Sequence, residues 1–233
     1  TLIKSGKKSG YLFGRFILLS NLTVPVLNRY DLLQRMIDAI DYPIEHLLLI
    51  DNGGQLTEVI ENPLVNKTTI LNMPSNLGVA VSWNLGIKSF AEQDVFFFSS
   101  ADTQYKPGAL EALAQANKNR ITLAQDFPYW HTFAIGSKIV ELIGLFDESL
   151  YPIYFEDNDY MRRADQAGLV TQYIDIKTQH DNSSTINSDA ELKKRNSTTF
   201  VSNRTYFEKK KHNEDFTEGR WNITRRRANS WGV

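Results

Sequence analysis

Cysteine is missing from all 233 residues, which excludes disulfides, thiolate nucleophiles and cysteine-ligated metals. Long apolar runs are missing as well. No stretch approaches the roughly 18 residues that cross a bilayer, and the early run from Tyr11 to Leu19 is interrupted by Gly14 and Arg15, a poor signal peptide. No Gly-x-Gly-x-x-Gly turn follows the first apolar segment and no P-loop occurs, which argues against a nicotinamide-dependent dehydrogenase or a P-loop phosphate site. There is no internal repeat and no low-complexity tract. A soluble, cytoplasmic protein is the expectation.

Net charge is also close to nil, at −1, but it is unevenly spread. From Ile186 to Val233, 11 Lys and Arg face 6 Asp and Glu, a net +5 that leaves −6 for the rest. An acidic body thus carries a basic arm. Either the arm is a solvated helix with a frayed end, or it touches phosphates, membrane headgroups or an acidic partner. Apolar residues reach 42%, enough for one large core, and aromatics 12%, with tryptophans at Trp83, Trp130, Trp221 and Trp231.

Apolar runs alternate with helical periodicity. Phe16 to Thr23 reads as a buried strand closed by Pro25. Asp31 can cap a helix carrying Leu32, Leu33, Met36, Ile37 and Ile40. His46–Ile50, Thr69–Leu71 and Asp94–Phe98 read as further strands. Asn76 to Phe90 reads as a loop and helix, and Pro107 as the first residue of a helix to about Asn117. In the second half, Thr132–Gly136 and Val170–Ile176 read as strands, Lys138–Ile143 as a short helix and Phe155 onward as an acidic helix start. Ser188 can cap a polar helix to about His212. This order predicts an α/β fold with a mostly parallel central sheet flanked by helices, and a C-terminal helical arm. Ligands of such sheets bind beyond the carboxyl ends of the strands, where Asn28-Arg29, Asp51-Asn52 and Ser99 to Thr103 fall.

Several residues there carry possible chemistry. Asp102, just past the apolar Phe96-Phe97-Phe98, can hold a hard divalent cation whose other positions go to phosphate and water. His180 also follows a strand, and imidazole beside carboxylate suits a manganese-type ion. Glu156-Asp157-Asn158-Asp159 places three carboxylates in four residues at a helix start. The helix dipole favours acids there, but the cluster exceeds what capping requires and can supply a general base. Paired carboxylates would equally suit a glycoside hydrolase, so these residues alone leave both readings open.

The order of the motifs resembles the family 2 glycosyltransferases of the GT-A fold. Pro25-Val26-Leu27-Asn28-Arg29 looks like the opening strand-to-loop motif, and Leu49-Ile50-Asp51-Asn52-Gly53-Gly54 like the second-strand motif. Asn76-Leu77-Gly78, with Asn84 and Gly86, is similar to the Asn-x-Gly segment. Ser100-Ala101-Asp102, followed by Pro107-Gly108-Ala109-Leu110, stands where the family has its metal-binding Asp-x-Asp. Gly144-Leu145-Phe146-Asp147-Glu148 and then Phe155-Glu156-Asp157-Asn158-Asp159 resemble the acceptor-side signature, and His180 to Ser184 the later His motif. The resemblance spans about residues 16–185, after a flexible lead-in over 1–15 and before the basic helix and tail over 186–233. It implies a nucleotide-sugar site from Pro25, Leu27, Asn28, Asp51, Asn76, Gly78, Asn84, Ser100 and Ala101, with Asp51 on the base. It implies Mn2+ or Mg2+ on Asp102 and His180, Asp157 as base with Glu156 beside it, and Trp130, Tyr154 and Asp159 on the acceptor side. The implied reaction is inverting transfer of a hexose from a UDP- or dTDP-linked donor to a hydroxyl of a glycan, lipid-linked sugar, protein or modified base. One departure is Ser100 in place of the first Asp of Asp-x-Asp. The competing reading is a catalytically degenerate binding module of the same fold, against which Asp102, Asp157 and His180 stand.

Overall fold

The computed structural model describes residues 18–181 and 190–212. The lead-in, Asn182 to Ser184, the Ser188 cap and the tail beyond His212 lie outside them. In chain order the elements are β1 (Leu22–Val26), α1 (Tyr30–Asp38), β2 (Ile44–Asp51), β3 (Val65–Asn72), α2 (Val79–Ser89), β4 (Val95–Ser99), β5 (Thr103–Tyr105) and α3 (Ala109–Leu113). There follow β6 (Ile121–Ala124), a 3-10 turn at Tyr129–His131, β7 (Thr132–Gly136), α4 (Ser137–Ile143), α5 (Glu156–Gln166), β8 (Thr171–Ile174), β9 (Thr178–His180) and α6 (Ala190–Lys211).

Seven strands form one sheet in the order β3-β2-β1-β4-β7-β6-β8. Only β7 runs against its neighbours, pairing antiparallel with both β4 and β6. Near-continuous apolar runs suit such a sheet, because a strand covered on both faces buries both sets of alternating side chains. In β4, Val95 and Phe97 enter one core layer while Phe96 and Phe98 enter the other. β2 divides likewise, Leu47 and Leu49 from Leu48 and Ile50. α1 and α3 cover the first face; α2, α4 and α5 cover the second. At Gly86, on α2, an added Cβ would lie 2.5 Å from Thr23 Oγ1, so the helix packs on β1 with no room for a side chain. None of the described helices is long and apolar enough to cross a membrane.

Three sequence expectations change. The first strand starts later than Phe16, and Pro25 lies inside it, paired with Ile50. Val26 accepts a hydrogen bond from Asn52 on the β2 side, so by alternation Pro25 faces β4. There β1 pairs only at Thr23↔Phe98, and a missing N–H costs no ladder bond. The helix expected from Pro107 to Asn117 covers only Ala109–Leu113, because Gly108 takes a left-handed φ of 84° before it and tight turns follow it. The described arm is more than a solvated helix: most of α6 is exposed, but it buries Asn203 and Lys210 against the body, at 5% and 1% exposure.

Candidate functional site

β1, β2 and β4 end at one edge of the sheet, and the antiparallel β7 begins there, Thr132 lying opposite Ser99. The loops leaving this edge form the candidate site.

On the β1–β2 side, Asp51 is fully buried. Its Oδ1 accepts from the Tyr30 hydroxyl at 2.8 Å and the Gly53 N–H at 2.9 Å, and its Oδ2 from the Leu56 N–H at 2.7 Å. Burial first, then the bonded Asp51 carboxylate, pushes the Tyr30 phenol up to about 12. Asp51 therefore fixes the loop that follows β2, with bonds from Tyr30, Gly53 and Leu56 occupying most of its acceptor positions. That loop presses on the chain after β1: a Cβ at Gly53 would sit 2.0 Å from the Leu27 carbonyl oxygen. Pro25, Leu27 and Asn28 line the same junction and are each partly exposed.

Asn76 and Gly78 connect this half to the next. Asn76 Oδ1 accepts from the Gly78 N–H at 2.9 Å, and its carbonyl from the Tyr151 hydroxyl at 2.9 Å. Gly78 adopts a φ of 84°, and a Cβ there would meet the Pro152 carbonyl oxygen at 2.8 Å. Asn84, expected at the nucleotide sugar, is instead fully buried. Its amide donates to the Phe146 carbonyl at 3.0 Å and Glu148 Oε1 at 2.9 Å, and accepts from the Phe146 N–H at 2.9 Å. A buried amide needs such partners, and Asn84 meets that need by tying α2 to the Gly144–Glu148 segment.

At the β4 end, the Ser100 N–H donates to the His131 carbonyl at 2.7 Å, and Ala101 packs on the core. The small β5–β9 ribbon pairs Thr103 with His180 and so brings His180 Nε2 to 2.9 Å from Asp102 Oδ1. Arg35, on α1, braces the junction from behind, donating to the Asp102 carbonyl at 3.2 Å and pairing with Asp181 at 2.6 Å. The described residues contain no group of three His, Asp or Glu placed to hold a metal. The pair still fits a cation that takes its other ligands from elsewhere. Neighbouring positions on an octahedral ion with ligands at about 2.1 Å lie about 3 Å apart, close to the observed 2.9 Å. His180 Nδ1 is buried with no hydrogen-bond partner.

His131 was not singled out by its sequence, yet its ring stacks on His180 with centroids 5.1 Å apart. Both its nitrogens are engaged, with the Pro128 carbonyl and the Thr178 hydroxyl, each at 2.6 Å. Burial, against the Pro128 bond, lowers its pKa and so favours the neutral ring. It supports His180 rather than offering a ligand. Trp130, next to it, turns the other way into an aromatic group with Trp83, Phe133 and Tyr160. Adjacent residues of one 3-10 turn thus join the Asp102–His180 pair to α5.

The start of α5 carries the acidic cluster. Tyr154 and Phe155 precede it with left-handed φ values of 83° and 73°, a conformation that costs side-chain-bearing residues energy. Glu156 is 4% exposed with Oε2 unpartnered. Burial, and then neighbouring Asp157, raise its pKa well above the usual carboxylate value. Asp157 is partly exposed, and burial raises its pKa despite the Asn158 N–H, which donates to Oδ1 at 2.8 Å. Asp159, expected on the acceptor side, is fully buried and points inward. It pairs with Arg162, Arg163 and Lys210 at 3.5, 2.9 and 2.8 Å, a neutralised network with no open oxygen for an acceptor. The Tyr154 hydroxyl accepts from Asn196 at 3.1 Å.

Residues 22–140 match the family model described as glycosyl transferase family 2. No curated protein matches the chain. Among solved structures, it is similar to GalNAc-T7 with UDP, GalNAc and Mn2+, with a TM-score of 0.55 and 12% identity over 72% of this chain and 44% of that one. It is also similar to S. aureus TarS 1-349, with a TM-score of 0.51 and 13% identity over 82% of this chain and 72% of that one. The chain therefore spans less than half of the GalNAc-T7 chain, and likeness at this identity establishes the fold alone.

Proposed function

Since the chain belongs to glycosyl transferase family 2, we propose that it moves a hexose from a UDP- or dTDP-linked donor to an acceptor hydroxyl, with inversion at the sugar carbon. The observation carrying this reading is Asp157: a partly exposed carboxylate, raised in pKa by burial, at the strand-end edge that also bears the Asp102–His180 pair. A base works best when its pKa lies nearer the working pH than an ordinary carboxylate's.

In this reading the loops around Leu27, Asn28 and Gly53 receive the nucleoside. Asp51 fixes the floor and leaves a base N–H only the lone pairs that Tyr30, Gly53 and Leu56 do not use. Asp157 takes the proton of the attacking hydroxyl as its oxygen bonds to the anomeric carbon. The bond from that carbon to the diphosphate oxygen breaks from the opposite face, and the nucleoside diphosphate leaves with the electron pair. Asp102 and His180 would hold a Mn2+ or Mg2+ ion, which offsets charge on the departing diphosphate when bound. GalNAc-T7, solved with UDP and Mn2+, supports the use of a divalent ion. Ser100 replaces a carboxylate near the ion, so affinity for it is modest. Glu156, whose burial favours its protonated form, orients the acceptor by hydrogen bonding.

A panel of UDP- and dTDP-hexoses, assayed for release of nucleoside diphosphate with and without Mn2+, tests the proposal. Manganese-stimulated release from at least one donor is expected. Binding of a nucleotide sugar with no cleavage under any condition would reduce the protein to a binding module.

A further inference from the structure

Asp157 sits directly after the left-handed Tyr154–Phe155 turn, and that turn is gripped from outside by α6. Asn196, Phe200, Asn203, Phe207 and Lys210 recur at helical spacing along one face of that helix. Asn203 Nδ2 donates to the carbonyls of Ile153 at 3.0 Å and Tyr154 at 3.3 Å. Phe200 meets the Tyr154 ring edge-on at 5.2 Å, and Phe207 stacks on Phe155 at 5.6 Å. Lys210 ends the stripe, its ammonium 2.6 Å from Asp147 and 2.8 Å from Asp159. Asp147 lies before the turn and Asp159 two residues beyond Asp157, so one buried cation ties both flanks of the segment.

Stability alone is a poor account of this arrangement. A buried ion pair is often no more stabilising than apolar packing of the same volume, and its best-attested use is to fix one geometry. Consecutive left-handed residues, for their part, persist only where their surroundings over-determine them. We propose that α6 is a positioning element of the transfer site, with Asn203 and Lys210 holding the turn in the conformation that aims Asp157 at the acceptor hydroxyl. This rests on Asp157 being the base.

Asn203→Ala tests it, since it removes the grip on the two carbonyls and leaves the Lys210 ion pairs and ring contacts to keep α6 docked. Three readouts use the full chain with Mn2+ and the hexose donor cleaved fastest in the panel, water serving as nucleophile. The expected kcat falls about thirtyfold to a hundredfold, the cost of misplacing a reacting group by about 1 Å, while the Kd for the matching nucleoside diphosphate stays within about twofold. Amide exchange should quicken across residues 153–158 and stay unchanged in β1, β2 and β4. Asn203→Ala combined with Asp157→Asn should be no slower than Asp157→Asn alone, because a residue acting through the base adds nothing once the base is gone. Wild-type kcat in Asn203→Ala, unchanged exchange over 153–158, or a double variant slowed by the product of both effects would overturn the inference. Wild-type kcat in Asp157→Asn would instead refute the base, and the exchange result would still decide whether α6 holds the turn.

Discussion

Replacing Lys210 by Met keeps much of the stem and removes the charge from a site that is 1% exposed. Asp147 would keep the Tyr206 hydroxyl at 2.9 Å and the Ser149 N–H at 2.9 Å but lose its only buried cation partner among the described residues. Asp159 would keep Arg162 and Arg163. Most of the cost therefore falls on Asp147, a fully buried carboxylate. Breaking a buried pair from one side costs about 3–5 kcal/mol, which lowers Tm by roughly 6–20 °C in a domain of this size. The loss depends on pH in a defined direction. Burial works to raise the Asp147 pKa, but Lys210, the Ser149 N–H and Tyr206 together hold it below the usual value. A carboxylate depressed in the folded state stabilises above its unfolded pKa, about 3.9, and that stability is lost as pH falls through the folded pKa. Without Lys210, burial raises the variant's Asp147 pKa, so the Tm gap between wild type and Lys210→Met should be largest at pH 7 and shrink as pH falls toward the depressed wild-type pKa. Differential scanning calorimetry at pH 7, 5 and 3.5 measures it. Equal Tm values at pH 7, or a gap that does not change with pH, would refute the buried pairing.

Asp102→Asn keeps the size of the side chain and removes its charge, so the Mn2+ concentration for half-maximal donor cleavage should rise at least about tenfold, as read by metal titration. Glu156→Gln should raise Tm at pH 8 and leave it nearly unchanged at pH 4. A carboxyl whose folded pKa is raised by burial and by Asp157 destabilises the fold as pH climbs above its unfolded value of about 4.3; melting curves at the two pH values decide it.

Much of this arrangement is legible in the residues themselves. Runs such as Phe96-Phe97-Phe98 and Leu47 to Ile50 read as strands covered on both faces, and their order places Asp51 and Asp102 at one sheet edge. What could not be read depends on contacts distant in sequence. The resemblance to the family brings His180 to Asp102, but the ribbon that joins them has strands of three residues each, too short for any periodicity to register. Pro25 reads as a strand terminator, and only the early parting of β1 from β4 lets it sit within the strand. Asn84 and Asp159 look like site residues by motif, yet helix phase turns both inward, because α2 and α5 each bury polar positions along with apolar ones. The gripping face of α6 escapes a search for apolar stripes, since two of its anchors are asparagines and one is a lysine.

The central claim is that Asp157 accepts the proton of the attacking hydroxyl. Asp157→Asn preserves shape and most hydrogen bonding but cannot take up a proton. Measured with the donor cleaved fastest in the panel and saturating Mn2+, kcat should fall by at least about a hundredfold, with the Kd for the nucleoside diphosphate unchanged. An Asp157→Asn protein that turns over its donor at the wild-type kcat would contradict the account.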